Sequence, residues 1–417
     1  MKEKNILVIG AGLAGIEASL LCARAGRKVY LVEKESYFGG SAIKSEEVFP
    51  QMECATCMLA PKQSEVLEDK NIELLTLSEV KEIKGEPGNF QVKILKKARY
   101  VSVVNCIGCG ACFEPCPVSL DNEFEERLSK RKAIYLACAG ALPNVPAIDM
   151  ENCLRAKGED CQACKEACMF DAIIYDDKDE ELSISVGSII IATGFRLSDS
   201  EKFSDLGYKK FKNVFSAFEF ERLRASNGPT AGEILTRDGK PPKSIAFIHC
   251  VGREEKGYCS QICCLYLTKF ARYALDKIPG VKVYQFYKEL SIPGKGNQKF
   301  FQEIKEKGIN LIRTKKVSIS ENENGLHLTY EDNKAVDVDM VVLAPPVEPH
   351  PGTKEIARLL NLEQEQFGFF KTTEFNPIES NRPGIFIAGC AQGPNFMQDV
   401  ILQAQAAAGA ALHLTGS

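Results

Sequence analysis

"KNILVIGAGLAGIEASLLCARAGRKVYLVEKES", residues 4–36, decides the fold through its order of residue types. The apolar run Ile6 to Ile9 has the length of a strand, glycines follow it, and small and apolar residues then recur at helical spacing as far as Gly26. Val29 to Glu33 reads as a second strand, so the unit is βαβ. Gly10, Gly12 and Gly15 form GxGxxG between strand and helix. Gly10 serves the tight turn, Gly12 lets the backbone approach a pyrophosphate, and Gly15 allows the helix to pack closely on the strand. The helix N-terminus adds amide donors and positive potential for phosphates. Glu33 lies about twenty residues on, at the end of the second strand, where an acid holds ribose hydroxyls. A purely structural glycine turn leaves Glu33 unexplained.

Further along, the same order recurs. "VGSIIIATG", residues 186–194, resumes a buried-strand pattern, and the segment Asn105 to Ala172 before it reads as a cysteine-rich insertion. Charged, turn-rich sequence lies between the opening unit and about residue 100. Ser244 to His249, a cysteine cluster, a helix through Lys277 and the run Val281 to Phe286 make a second βαβ order, so residues 200–350 are expected to form another α/β lobe. "GIFIAGCA", residues 384–391, is a last strand before a helix-like tail from Val400 to Leu414. No tandem repeat is visible.

Composition narrows the function. A chain of 417 residues suggests two or three domains. The net charge of −4 with no polybasic stretch argues against a nucleic-acid partner. Its longest apolar runs fall far short of the roughly 20 residues of a membrane helix. The start passes from Met1 to Asn5 directly into Ile6 with no leader segment, so a cytoplasmic location is expected. Seventeen cysteines in a reducing compartment point to metal or redox chemistry rather than a disulfide scaffold.

Spacing divides the cysteines into groups. "CIGCGACFEPCPV", residues 106–118, is CxxCxxCxxxCP, the bacterial ferredoxin spacing in which the fourth thiolate serves a second cluster. Residues 153–173 supply the other half, with Cys161, Cys164 and Cys168, and Cys153 set upstream by an irregular gap. By crossed ligation, Cys106, Cys109, Cys112 and Cys168 would hold one [4Fe-4S] centre, and Cys153, Cys161, Cys164 and Cys116 the other. Zinc is the alternative that thiolate chemistry leaves open. "CVGREEKGYCSQICC", residues 250–264, stands where a nucleotide-binding second lobe would carry another glycine loop. Only Gly252 remains there, and Cys250, Cys259, Cys263 and Cys264 supply four thiolates, suited to a third cluster; inert core cysteines or zinc are the other readings. "MECATCMLAPK", residues 52–62, presents Cys54 and Cys57 as a CxxC pair: a redox dithiol, extra ligands, or plain buried thiols. Cys22 and Cys138 read as packing residues. His249, His327, His350 and His413 form no ligand pair.

"EKESYFGG" at 33–40, "IIIATG" at 189–194 and "GIFIAGCAQGP" at 384–394 resemble the paired elements of the two-dinucleotide-binding flavoprotein superfamily that includes thioredoxin reductase, which favours FAD over NAD. The resemblance implies cofactor contacts from Gly10, Gly12, Gly15, Glu33, Lys34, Gly39, Gly40, Thr193, Gly194, Gly389 and Cys390. The superfamily usually has Asp where Cys390 stands. The cysteine strings, with "RKAIY", "GPTAGEIL", "NVFSAFEFERL" and Gly294 to Gly296, make nearly the whole chain similar to the A-type polypeptide of heterodisulfide reductase and to its relative in the quinone-interacting membrane-bound oxidoreductase complex. That similarity implies an α/β thioredoxin-reductase-like fold with an inserted α+β ferredoxin-type domain, FAD, two ferredoxin-type [4Fe-4S] clusters and a third at Cys250.

The implied division is 1–100 for the first part of the FAD lobe, 101–180 for the inserted two-cluster domain, 181–240 for a connection back, 241–350 for the second lobe and 351–417 for the end of the FAD lobe. Long family members carry flanking cluster domains beside the flavin core, and against them shorter wiring is expected here. Implied partners are cluster-bearing B and C type subunits, with a hydrogenase, a dehydrogenase or a quinone-linked membrane subunit beyond them, the last placing the chain at the inner face of a membrane; a homodimer is the general expectation for flavoproteins. Two rivals remain: a stand-alone NAD(P)H-dependent flavoenzyme with structural clusters, and a zinc-bearing assembly scaffold.

Overall fold

A computed structural model describes residues 3–416, which leaves Met1, Lys2 and Ser417 outside the described residues. Strand β1 (Ile6–Ile9), helix α1 (Leu13–Arg24) and β2 (Val29–Val32) form the opening βαβ unit. Helix α2 (Ala55–Glu68) and β3 (Ile72–Leu75) follow. The stretch that looked merely charged and turn-rich then folds into the hairpin β4 (Ser78–Glu86) and β5 (Asn89–Lys96). In β5, Phe90, Val92 and Ile94 alternate inward between exposed polar residues, the two-residue period of a half-buried strand.

The chain leaves this hairpin after Lys96 and returns to it at β6 (Glu180–Val186), which pairs antiparallel with β5. β7 (Ser188–Ile191) then joins the main sheet beside β1. The intervening residues have little regular structure: two-residue ladders pair Leu120–Asp121 with Lys130–Arg131 and Ile134–Tyr135 with Ala147–Ile148. Their own small core packs Val101, Ile134, Val145, Ile148 and Ile173 with Cys112, Cys116, Cys153 and Cys164.

The second lobe holds β8 (Val214–Ser216), α3 (Ala217–Arg224), β9 (Ser244–Ile248), α4 (Cys263–Lys277), β10 (Lys282–Tyr287), β11 (Asn310–Arg313) and β12 (Met340–Leu343). β13 (Ile385–Ile387) and the tail helix α5 (Met397–Gly416) return to the first lobe. Both main sheets are parallel and five-stranded, in the orders β13-β7-β1-β2-β3 and β8-β12-β9-β10-β11, and share a run of three strands consecutive in sequence beside one central strand. Their central strands are apolar and buried throughout, as parallel strands covered on both faces must be. In each sheet the order reverses at one central strand, β1 or β9, and crevices for ligands lie beyond the carboxyl ends of such strands.

Three buried cations tie the parts together. Arg99 donates to the carbonyls of Val145 and Ser36 and to Thr76 Oγ1, each at 2.8 Å, joining insertion to first lobe. Arg222 of α3 makes a bidentate pair with Glu125 of the insertion (2.8 and 3.0 Å) and also donates to the Lys44 carbonyl. Lys269 of α4 pairs with Glu221 at 2.5 Å and donates to the Glu47 carbonyl.

Candidate functional site

The first crevice opens where β1 runs into α1. A Cβ on Gly10, whose φ is +101°, would sit 2.4 Å from the Ala192 carbonyl oxygen, and one on Gly15 would sit 1.9 Å from the Gly10 oxygen. No side chain fits either place, so β1, α1 and the strand-end residues Ala192 and Thr193 approach one another at backbone distance. Gly39 donates to the Ala11 carbonyl at 2.8 Å, which brings Gly39 and Gly40 alongside Gly12. Glu33 reaches back into the loop: one carboxylate oxygen accepts from the Ala11 amide at 2.9 Å and the other from the Glu35 amide at 3.0 Å. Burial raises its pKa while those amides lower it. Lys34 points to solvent beside Glu35.

Thr193 Oγ1 is buried with no partner in the protein, an orphan that a bound polar group would satisfy. Gly194 follows it, and Gly389 with Cys390 closes the crevice from β13. Cys390 is buried, its thiol pushed up to about 11 by burial, with only a long contact of 3.9 Å to the Asn395 carbonyl. It supplies no carboxylate for a ribityl chain. The rest of the crevice, a backbone cradle with an acid at its rim, suits a dinucleotide.

In the insertion the cysteines assemble across the sequence. Cys112 is buried, and its thiol is pushed up to about 12 by burial and by the neighbouring Cys164, Cys106 and Cys168. Cys106 and Cys168 accept hydrogen bonds from Gly108 and Ala172 amides, both at 3.4 Å, while Cys109 stands exposed. Around them Val103, Val104, Ile107, Met169 and Phe170 are exposed, Val104 by 88% and Met169 by 90%, an apolar fringe unlike a solvated surface. Cys116, Cys153, Cys161 and Cys164 line one apolar cavity with Pro117, Ala133, Ile134, Ile148 and Leu154. Cys164 is raised by burial and by the other three of that quartet, and its sulfur lies 3.2 Å from Tyr175 Oη. The irregular gap before Cys161 is taken up by a short turn, Arg155–Lys157, ending on a left-handed Gly158.

The third quartet lies beyond β9. Cys250 has φ +57°, and the thiols of Cys250 and Cys264 point at the Glu289 carbonyl, 3.7 and 3.9 Å away, past the end of β10. Cys264 accepts from the Ser291 amide at 3.3 Å and Cys259 from that of Gln261 at 3.4 Å. Cys263 and Cys264 open α4 and are buried; burial raises both, Cys264 to about 11, with Cys250 and Cys259 adding to it. Gly252, the residual glycine, is blocked: a Cβ there would lie 2.3 Å from the Phe203 ring. Nothing in the sequence pointed to Phe203.

Among the described residues no three His, Cys, Asp or Glu side chains converge as ligands of a single ion do. The four cysteines of the second quartet instead line one apolar cavity. Cys54 and Cys57 are exposed, so the reading as buried thiols fails; β-hairpin residues 47–54 carry them to the surface. Cys22 is fully buried in the first core and Cys138 packs partly buried against it. His249 is buried with neither ring nitrogen paired, and His327 sits on Asp337 at 2.7 Å. No helix among the described residues is long and apolar enough to cross a membrane.

The FAD dependent oxidoreductase family matches residues 5–55. The A-type polypeptide of the H(2):CoB-CoM heterodisulfide,ferredoxin reductase of Methanothermobacter marburgensis is 39% identical over 97% of the chain and 63% of its own length. The iron-sulfur A-type polypeptide of the CoB-CoM heterodisulfide reductase of Methanocaldococcus jannaschii is 40% identical over 98% and 64%. A protein of Archaeoglobus profundus, named as like the same polypeptide of heterodisulfide reductase, is 36% identical over 99% and 66%. The chain therefore spans about two thirds of these relatives or slightly less. Among solved structures, the thioredoxin reductases of T. acidophilum and Lactococcus lactis superpose over 99% of both chains, each with a TM-score of 0.54, at 13% and 14% identity. They establish the two-dinucleotide-binding flavoprotein fold.

Proposed function

The chain belongs to the family of heterodisulfide reductase A-type polypeptides, and from that premise we propose that it is the flavin- and iron–sulfur-bearing electron-transfer component of a heterodisulfide-reductase-like complex. The observation that carries this reading is the exchange of a glycine loop for a cysteine quartet at the switch strand of the second sheet. FAD, when bound, supplies two-electron chemistry, and [4Fe-4S] clusters supply one-electron steps. The chain's part is to hold these groups at fixed separations. The Gly10–Gly15 turn and Gly39–Gly40 give backbone approach to a pyrophosphate, and Glu33 faces the ribose. Thr193 Oγ1 donates to whatever polar atom fills its side of the crevice.

Cys106, Cys109, Cys112 and Cys168 hold the first cluster, Cys116, Cys153, Cys161 and Cys164 the second, and Cys250, Cys259, Cys263 and Cys264 the third. Amides directed at Cys106, Cys168, Cys259 and Cys264 stabilise the thiolate form each ligand needs. The apolar fringe over the first quartet supports docking of another redox protein there, with the complex's remaining cluster-bearing subunits as partners. The rival NAD(P)H-dependent flavoenzyme is disfavoured by the relatives' names and by the blocked Gly252 turn.

Anaerobic purification with iron, acid-labile sulfide and flavin quantified, followed by electron paramagnetic resonance during stepwise reduction, tests the proposal. About twelve iron atoms per chain, one cubane for each quartet, are expected. About eight would remove the third cluster, and zinc without sulfide would overturn the reading.

A further inference from the structure

Cys54 and Cys57 are the cysteines that no quartet and no core absorbs. The two-residue ladder Glu47–Val48/Glu53–Cys54 delivers Cys54 to the N-cap of α2, where its sulfur accepts the Cys57 amide at 3.2 Å. The opening amides of a helix lack intrahelical partners, and together with the helix dipole they favour an anion at this place. The Cys54 sulfur stands where those amides converge. Cys57, one turn on, has its thiol hydrogen-bonded to Cys54, which raises its pKa. Both side chains face solvent, Cys54 at the helix cap and Cys57 in its first turn.

The surroundings hold this pair still. Glu46 donates its amide to Glu221 at 2.9 Å, Glu47 donates to Tyr273 Oη at 3.1 Å, and Lys269 Nζ donates to the Glu47 carbonyl at 2.9 Å. Leu59 and Gln63 of α2 close on Gly39, beside the flavin-binding turn. The contrast with the other unassigned thiols is plain. Cys22, Cys138 and Cys390 are pushed up to about 12, 11 and 11 by burial, which keeps them protonated and out of reach.

We propose that Cys54 and Cys57 form a separate, solvent-facing redox site that exchanges with low-molecular-weight disulfides, Cys54 attacking and Cys57 resolving. The Cys54 thiolate bonds to one sulfur of the substrate, whose S–S bond breaks and releases one thiolate. Cys57 gives its proton to solvent and attacks the Cys54 sulfur, breaking the mixed disulfide and releasing the second thiolate. Two electrons pass from the dithiol to the substrate, and the two protons end on the released thiols. The reverse sequence, driven by an excess of those thiols, restores the pair.

The test uses the anaerobically purified full chain with its flavin and metal, and glutathione disulfide as the probe. Residues 45–62, between Lys44 and Lys62, contain these two cysteines and no others, so proteolytic mapping reads them separately from the quartets. The expected product is an internal Cys54–Cys57 disulfide that reopens as the ratio of reduced to oxidised glutathione rises. Cys57→Ser should accumulate the mixed disulfide on Cys54, and Cys54→Ser should react at Cys57 about tenfold more slowly or less. Free thiols at every glutathione ratio, glutathione on both sulfurs without ring closure, or equal rates for the two variants would each overturn the proposal. Reaction that begins only after iron is chelated would also do so, because it would make the pair metal ligands.

Discussion

Replacing Glu125 with Ala strips the partner from a cation that has nowhere to go. Arg222 is 0% exposed and Glu125 5%, with Nε and Nη2 each donating to a separate carboxylate oxygen. The remaining donors reach the Lys44 carbonyl at 2.8 Å and Asn227 Oδ1 at 2.9 Å, and the guanidinium lies 4.8 Å from the centre of the Phe124 ring. Those contacts persist in Glu125→Ala, but none neutralises the charge. Removing one partner of such a buried pair costs about 3–5 kcal/mol. Glu125→Gln keeps the shape and one acceptor oxygen, so its loss should be nearer 1.5–3 kcal/mol, roughly the value of a hydrogen bond to a charged group. Because the pair joins the insertion to α3, amide exchange should locate the effect: protection around residues 120–131 falls first, while the β1 and β9 strands keep theirs. Urea unfolding of the holoprotein gives the magnitude, and the double variant Glu125→Leu with Arg222→Met should recover to within about 1 kcal/mol of the parent, since no unpaired charge is then buried. A Glu125→Ala loss below about 1 kcal/mol, the range of an exposed pair, would refute the reasoning, as would simple additivity of the two single changes.

Gly10→Ala places a Cβ 2.4 Å from the Ala192 oxygen at φ +101°, so flavin bound per chain, read from absorbance, should fall at least tenfold, with about 1–3 kcal/mol of strain in the turn. Cys164→Ala should remove about four iron atoms, one cubane's worth, whereas Cys138→Ala should leave the iron count unchanged. His350 has its pKa lowered to about 4 by burial and by the nearby Lys34 and Arg196. Its folded value lies below the unfolded one, so its contribution is present above about pH 6.5 and is lost as pH falls towards 4. His350→Gln should therefore flatten the acid limb of the urea-midpoint profile over that window.

The sequence displayed its ligand-binding geometry openly and its tethers hardly at all. GxGxxG states its mechanical requirements in residue identity, so Gly10 and Gly15 could be assigned before any distance was known. The cysteine spacings likewise grouped Cys116, Cys153, Cys161 and Cys164, which the fold brings around one cavity. Arg99, Arg222 and Lys269 carry no such mark. Their partners lie up to 222 positions away, no local period links them, and a charged residue in a helix such as α3 looks like one on a solvated face. The charged stretch before residue 100 hid a helix because Pro61 lies inside it, and hid a hairpin whose inward residues are single apolar positions between charges.

The two sheets offer a comparison within one molecule. Each is parallel and five-stranded, steps outward in sequence along β1-β2-β3 or β9-β10-β11, and reverses at the first of these strands, whose carboxyl end opens on a loop. After β1 that loop is glycine, and the backbone closes to within contact of Ala192. After β9 the corresponding bend is made by Cys250, a residue with a Cβ held at φ +57°. Left-handed backbone costs a non-glycine residue about 1–2 kcal/mol, and such strain persists where the surroundings over-determine it. Here the surroundings include the Glu289 carbonyl, 3.7 Å from the Cys250 sulfur, and the Cys263–Cys264 start of α4. The Phe203 ring packs against Gly252, where an added Cβ would come within 2.3 Å of it. Restoring glycine at 250 alone would relax the backbone and leave the Phe203 ring against Gly252. The second lobe thus keeps a parallel, switch-bearing sheet, while four cysteines stand where a glycine loop would follow its central strand.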